Sequence, residues 1–107
     1  MVSMSNLPRH YQSFVEDNPE FAAAYKALGD AAMTAGPLSR KDVELVKIGV
    51  SLGAKMESAV RSHCRKALEA GATPDEVRHA VMSSVTTIGF PTMMAGLKWV
   101  EDLLEPA

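Results

Sequence analysis

A helical hairpin is encoded in residues 39–71, which read SRKDVELVKIGVSLGAKMESAVRSHCRKALEAG. Apolar residues in this stretch recur at intervals of three and four, which is the spacing of one face of an α-helix. Ser39 precedes Asp42 by three residues and is a plausible N-cap, so the first helix is predicted to begin there. The pattern breaks at residues 53–55, and a second helix is predicted from about 56 to 71. These two helices are expected to form a central antiparallel pair.

The first helix of the hairpin is unusually apolar. Its apolar residues cover most of the circumference: Val43, Leu45, Val46, Ile48, Val50 and Leu52. A helix with this pattern is predicted to be surrounded by protein. Glu44 lies among these residues, where an unpaired carboxylate would be costly.

Helix start and stop signals continue on both sides of the hairpin, and no segment has the alternating pattern of a strand. Two helices are predicted before it, separated at Asn18, which is expected to cap the second of them. Thr73-Pro74-Asp75-Glu76 predicts a capping box, because the Thr73 hydroxyl can cap the helix and the Glu76 carboxylate follows it by three residues. Pro74 suits the first position of the helix. The helix that begins there is expected to reach Ile88, and a last helix follows the break at Gly89-Phe90-Pro91. The sequence therefore predicts an all-α, compact bundle of about six helices.

Composition narrows the class of protein. The 107 residues contain 11 Lys+Arg and 13 Asp+Glu, for a net charge of −2, and 47% are hydrophobic. This favours one soluble domain without a nucleic-acid or membrane partner, since both partners select for clustered basic residues. Residues 80–97 carry no charge, but Gly89 and Pro91 interrupt them and a membrane span is not predicted. Residues 1–6 lack the apolar run of a signal peptide, so a cytoplasmic location is expected.

Glu44 and His63 are the candidate chemical pair. Glu44 lies nine residues before Gly53 and His63 ten after it, so a hairpin places them at similar heights on opposing helices. A carboxylate that accepts a hydrogen bond from one imidazole nitrogen leaves the other nitrogen free to exchange a proton near neutral pH. Two structural alternatives stay open: His63 as a core histidine, and Glu44 paired with Lys47 along its own helix.

The remaining chemical groups give weaker signals. Cys64 is the one cysteine, and it is either an inert buried thiol or a reactive one activated by a nearby cation. His10 and His79 do not form a metal-binding pattern with His63. Neither a metal nor a cofactor is predicted.

Three motifs carry a family resemblance: LSRKDVEL at 38–45, AGATPDEV at 70–77 and GFP at 89–91. In this order they resemble the carboxymuconolactone decarboxylase family, whose superfamily includes alkylhydroperoxidase D. In the peroxidase-like branch, a glutamate precedes a Cys-x-x-Cys-x-x-x-His motif with the spacing of 19 residues that separates Glu44 from His63. The two cysteine positions correspond to Met56 and Ala59, so the dithiol mechanism of that branch is not available here.

The resemblance implies an alkylhydroperoxidase D-like fold in a single domain, 1–107, with a family core of about 38–104. It also implies a homo-oligomer, a trimer or a hexamer, and cofactor-independent lyase chemistry on a carboxylated lactone or a related carbonyl acid. In that reaction His63 would be the acid or base and Glu44 would orient it. Candidate cations for the carboxylate of such a substrate are Lys47, Lys55 and Arg61.

Two other functions stay open beside this one. A peroxidase-like thiol antioxidant would use Cys64 as its reactive group. A non-catalytic ligand-binding or scaffolding oligomer would keep the family's core without its chemistry.

Overall fold

The computed structural model describes residues 8–104, and this part of the chain contains α-helices and no strand. The helices are α1 Arg9–Asp17, α2 Pro19–Met33, α3 Arg40–Gly53, α4 Glu57–Glu69, α5 Pro74–Ser83, α6 Val85–Ile88 and α7 Phe90–Leu104. The predicted all-α class is confirmed, as is the number of about six helices, to which α6 adds a single turn. Residues 1–6, where the sequence shows no signal-peptide pattern, lie outside the described residues.

The chain divides into two compact units, residues 1–37 and 38–107. In the first unit, the Phe14 and Phe21 rings pack edge to face with centroids 5.4 Å apart. Asn18 occupies the N-cap position of α2 as predicted, but its side chain makes no capping hydrogen bond, because its Nδ2 atom donates to the Phe14 carbonyl at the end of α1. No described residue of α1 or α2 is buried.

The second unit is built on the hairpin of α3 and α4. Ser39 caps α3 as predicted, since its Oγ atom accepts from the Asp42 N–H at 3.1 Å. Lys55 ends the helix in the left-handed region, with φ of 59°. The N–H groups of Lys55 and Met56 donate back to carbonyls of the last turn, which is how a helix usually ends at a glycine. This tight end brings the chain back as the antiparallel helix α4.

Helix α5 begins with the predicted capping box. Thr73 Oγ1 accepts from the Glu76 N–H at 3.1 Å, and Glu76 Oε1 accepts from the Thr73 N–H at 2.9 Å. The second carboxylate oxygen, Oε2, lies 3.0 Å from Lys41 Nζ on α3. The Thr73 N–H and the Lys41 ammonium together hold the pKa of the Glu76 carboxyl below its usual value. The cap therefore also connects α5 to α3.

The prediction of one helix from Pro74 to Ile88 is wrong at Ser84. The hydroxyls of Ser83 and Ser84 donate to the carbonyls of Ala80 and Val81, and the chain tightens there before α6 begins. Serine hydroxyls that bond to preceding carbonyls compete with the regular helix pattern. Over the described residues, no helix is long and apolar enough to cross a membrane.

One apolar cluster forms the core of the second unit. Its fully buried side chains come from α3, α4, α5 and α7: Ile48, Leu52, Val60, Cys64, Ala67, Val77, Val81 and Val100. Gly96 allows α7 to approach closely, because a Cβ atom there would lie 2.7 Å from Leu52 Cδ2. The hairpin is thus held by packing on one of its sides.

Residues 38–104 of the second unit leave the other side of α3 exposed. Val46 and Val50 are 54% and 67% exposed, so the prediction that protein surrounds this helix is wrong for the second unit alone. Helical periodicity explains the difference, since Ile48 and Leu52 point into the core and these two valines point away from it.

Candidate active site

The structure brings Glu44 and His63 together. Glu44 Oε1 lies 2.8 Å from His63 Nδ1, and the Glu44 side chain is only 3% exposed while that of His63 is 21% exposed. An ionised carboxylate can only accept a hydrogen bond, so Nδ1 is the nitrogen that donates. A carboxylate buried this deeply requires such a donor.

The hairpin sets this distance through its register. Glu44 faces α4 from the same side of α3 as Ser51, which lies two helical turns further on and is also buried. The Ser51 hydroxyl donates to the Lys47 and Ile48 carbonyls, 2.8 and 3.1 Å away, and so does not donate to the Glu44 carboxylate. His63 meets Glu44 across the seam between the two helices.

The second ring nitrogen of His63 is available. No hydrogen bond engages Nε2 within residues 8–104, and no buried side-chain nitrogen or oxygen in this range lacks a partner. Since the ring is partly exposed, Nε2 is the atom that can reach solvent or a ligand. The arrangement can hold an imidazole in one tautomer and present its basic nitrogen outward.

The candidate cations differ in whether they already pair with acidic side chains and in how exposed they are. Arg61 donates to Glu57 and to Asp102 at 3.1 Å each, and its guanidinium lowers the pKa of the Asp102 carboxyl. It is therefore occupied by acidic partners. Lys47 makes no ion pair with Glu44, contrary to the alternative weighed from the sequence, and it is half-buried one turn away from the pair. Lys55 is exposed at the end of the hairpin.

Cys64 follows His63 in the chain but points away from it. Its side chain is fully buried in the core, on the opposite side of α4 from solvent. Burial raises the pKa of the Cys64 thiol, and the positive charges of Arg65 and Arg61 oppose that effect only in part. Because the thiolate is the reactive form, this environment disfavours a peroxidase-like role for Cys64.

We expect the Cys64 thiol of the native protein to resist alkylation by iodoacetamide at neutral pH and to react at once in guanidinium chloride. The single cysteine makes mass spectrometry of the intact chain a direct measure, with the unfolded protein as the control. Native labelling as fast as that of the unfolded chain would restore the antioxidant hypothesis.

The two positions that correspond to the cysteines of the peroxidase-like branch lie at the start of α4. Met56 is the N-cap residue and is exposed, and Ala59 is half-buried one turn before His63. Neither side chain can form a thiolate, so these two positions are apolar rather than redox-active. Among residues 8–104, no group of three or more His, Cys, Asp or Glu side chains is arranged to hold a metal ion.

Comparison with known proteins identifies one family. The sequence model described as the carboxymuconolactone decarboxylase family matches residues 19–102. This range contains most of the chain, including Glu44 and His63, and it begins well before the core predicted from residue 38. Searches of the curated proteins and of the solved structures found no match.

Proposed function

Because the chain belongs to the carboxymuconolactone decarboxylase family, we propose that it is a cofactor-independent enzyme whose Glu44–His63 pair transfers a proton. The supporting observation is the 2.8 Å contact between a nearly buried carboxylate and Nδ1 of a partly exposed imidazole. The reaction class is decarboxylation or isomerisation of a carboxylated lactone or a related carbonyl acid. Met56 and Ala59 replace the cysteines of the peroxidase-like branch and so favour this class over peroxide reduction.

The proposed mechanism needs only one positioned acid. When the bond to the carboxylate breaks and carbon dioxide leaves, its electron pair is taken up by the neighbouring unsaturated carbonyl. His63 Nε2–H then donates a proton to carbon, and the ring recovers a proton from solvent, so that one proton is consumed per turnover. Glu44 holds Nδ1–H throughout and stabilises the charged ring before it gives up the proton.

A substrate screen tests this function. The protein is incubated with carboxylated lactones and with β-keto acids in D₂O, and proton NMR follows loss of substrate and incorporation of deuterium at carbon. We expect turnover of at least one compound with deuterium at the carbon that carried the carboxylate. Saturable binding without turnover across the panel would instead support a non-catalytic ligand-binding protein.

We also propose that the protein is a homo-oligomer, as a trimer or a hexamer. The support is apolar surface that each unit leaves exposed, namely Val46 and Val50 on α3 of the second unit and a stripe of Phe21, Tyr25 and Leu28 on α2 of the first. Apolar side chains arranged in this way are typical of association surfaces, and a second copy is the proposed occupant.

Light scattering after size-exclusion chromatography measures the association. At micromolar concentration we expect the mass of three or six chains, and a smaller species for Val50→Glu, with Lys98→Glu as an exposed control. A wild-type mass equal to one chain would overturn the oligomer. The cytoplasmic location and the lack of a nucleic-acid partner stay predictions of the sequence.

A further inference from the structure

Two of the half-buried basic residues in the second unit differ from the others in having no acidic partner. Five lysines and arginines of the described chain are half-buried: Lys41, Lys47, Arg61, Lys66 and Arg78. Three of them form ion pairs with carboxylates, namely Lys41 with Glu76, Arg61 with Glu57 and Asp102, and Arg78 with Asp75 and Glu101. Lys47 and Lys66 have no acidic partner within residues 8–104. Each of these two side chains is partly covered, while its ammonium group has no counter-ion from this part of the chain.

These two lysines flank the candidate active site in equivalent positions. Lys47 follows Glu44 by three residues on α3, and Lys66 follows His63 by three residues on α4. Residues three apart on a helix are neighbours on its surface. Lys47 is therefore a neighbour of Glu44 on the surface of α3, and Lys66 is a neighbour of His63 on the surface of α4.

Both lysines lie on the same side of the hairpin. In a right-handed helix, a step of three residues turns the side chain by about 60° backwards around the axis. Since α3 and α4 are antiparallel and Glu44 faces His63, this step moves both side chains toward the same face. The opposite face carries Ile48 and Cys64, which are fully buried in the core. The lysines thus project on the side away from the core.

The two lysines are also separated along the hairpin. The step from Glu44 to Lys47 runs toward the turn, and the step from His63 to Lys66 runs away from it. With a rise of about 1.5 Å per residue, the two backbone positions are about 9 Å apart along the axis, with the His63 ring between them. Lysine stems are long and flexible, so the ammonium groups can close on a ligand that carries two negative charges.

We propose that Lys47 and Lys66 form an anion-binding site that takes the carboxylate groups of a dicarboxylate ligand on either side of His63. The site deepens the function proposed above and rests on it for the role of His63. Each lysine supplies a positive charge that no carboxylate of the described chain neutralises. The apolar side chains of Ala59 and Met56 lie beside the carbon skeleton of the dicarboxylate. These residues set specificity and do not take part in the proton transfer.

Succinate is the probe, and its uncharged diamide, succinamide, is the matched control. Both are titrated into the intact protein at constant ionic strength, while ¹⁵N NMR follows the His63 ring. We expect saturable shifts with succinate and none with succinamide. Lys47→Met and Lys66→Met keep the apolar stem of the side chain, and each is expected to raise the Kd for succinate by about tenfold or more. Lys98→Met, at an exposed position of α7, is expected to leave the Kd unchanged.

Equal shifts with succinate and succinamide, or one Kd shared by all three methionine variants, would overturn the anion site. Its failure is distinguishable from that of the proposed function through His63→Gln. If this variant loses turnover while both lysine variants bind succinate normally, the anion site is wrong and the proton transfer stands. If succinate binding depends on the lysines but turnover does not depend on His63, the anion site stands alone.

Discussion

His63→Gln is expected to lower kcat on any substrate found in the screen by about 10²–10⁴-fold, the usual contribution of a positioned acid or base. The glutamine amide fills much of the same space and can donate to Glu44, so the buried carboxylate keeps a partner. It cannot exchange a proton with carbon. Steady-state kinetics at one pH measure the effect, and His79→Gln, at an exposed position of α5, is the matched control.

Glu44→Gln tests the positioning role separately. The amide oxygen can still accept from Nδ1–H, but the negative charge that stabilises the charged ring is gone. We expect kcat to fall while KM changes little, because the substrate reaches His63 and not Glu44. An unchanged kcat in a folded His63→Gln protein would exclude His63 as the acid or base.

Loss of activity must be separated from loss of fold. Removing the whole ring in His63→Ala leaves the Glu44 carboxylate buried without a donor, a change that costs about 1–3 kcal/mol of stability. Urea unfolding of each variant gives this number directly. Where the Glu44→Ala/His63→Ala double variant is destabilised by less than the two single variants combined, the pair is coupled in the folded state.

Leu52→Ala is expected to destabilise the second unit by about 2–5 kcal/mol. Leu52 is fully buried and its side chain packs against Gly96 of α7, beside the Val81 side chain of α5. Alanine would leave a cavity where the side chains of three helices meet. The free energy of unfolding from urea denaturation measures the loss.

Val50→Ala is the matched control for this substitution. It lies two residues earlier on the same helix and is 67% exposed in the single chain. We expect its free energy of unfolding to stay within about 0.5 kcal/mol of wild type at concentrations where the chains are dissociated. Equal losses for the two variants would mean that the core does not lie on the Leu52 side of α3.

The sequence was most informative where local chemistry determines structure. The capping box at Thr73 depends on residues within four positions, and the Ser39 cap is equally local, so both could be predicted. The partner of the Asn18 side chain could not be predicted, because this side chain can bond to either of two neighbouring helices and it bonds to the carbonyl of Phe14. The division at Ser84 depends on serine hydroxyls that compete with the helix, which an apolar periodicity does not register.

The candidate site was only partly visible in the sequence. The spacing of Glu44 and His63 around a short hairpin predicted that they could meet, since antiparallel helices place equal distances from the turn side by side. Arg61 was named as a candidate cation because no pattern reveals that Asp102, 41 residues later, pairs with it. Lys66 was overlooked, although its spacing from His63 repeats that of Lys47 from Glu44.

The most direct test of the Glu44–His63 pair is a pH titration of the His63 ring nitrogens by ¹⁵N NMR, with signals assigned through His63→Gln. We expect Nδ1 to stay protonated as the pH rises and Nε2 to be the nitrogen that loses its proton. Replacing Glu44 by leucine should abolish this preference, so that the two tautomers interconvert as in a free imidazole. If Nδ1 of the wild type loses its proton first, or if Glu44→Leu leaves the titration of both nitrogens unchanged, the proton-transfer pair is contradicted.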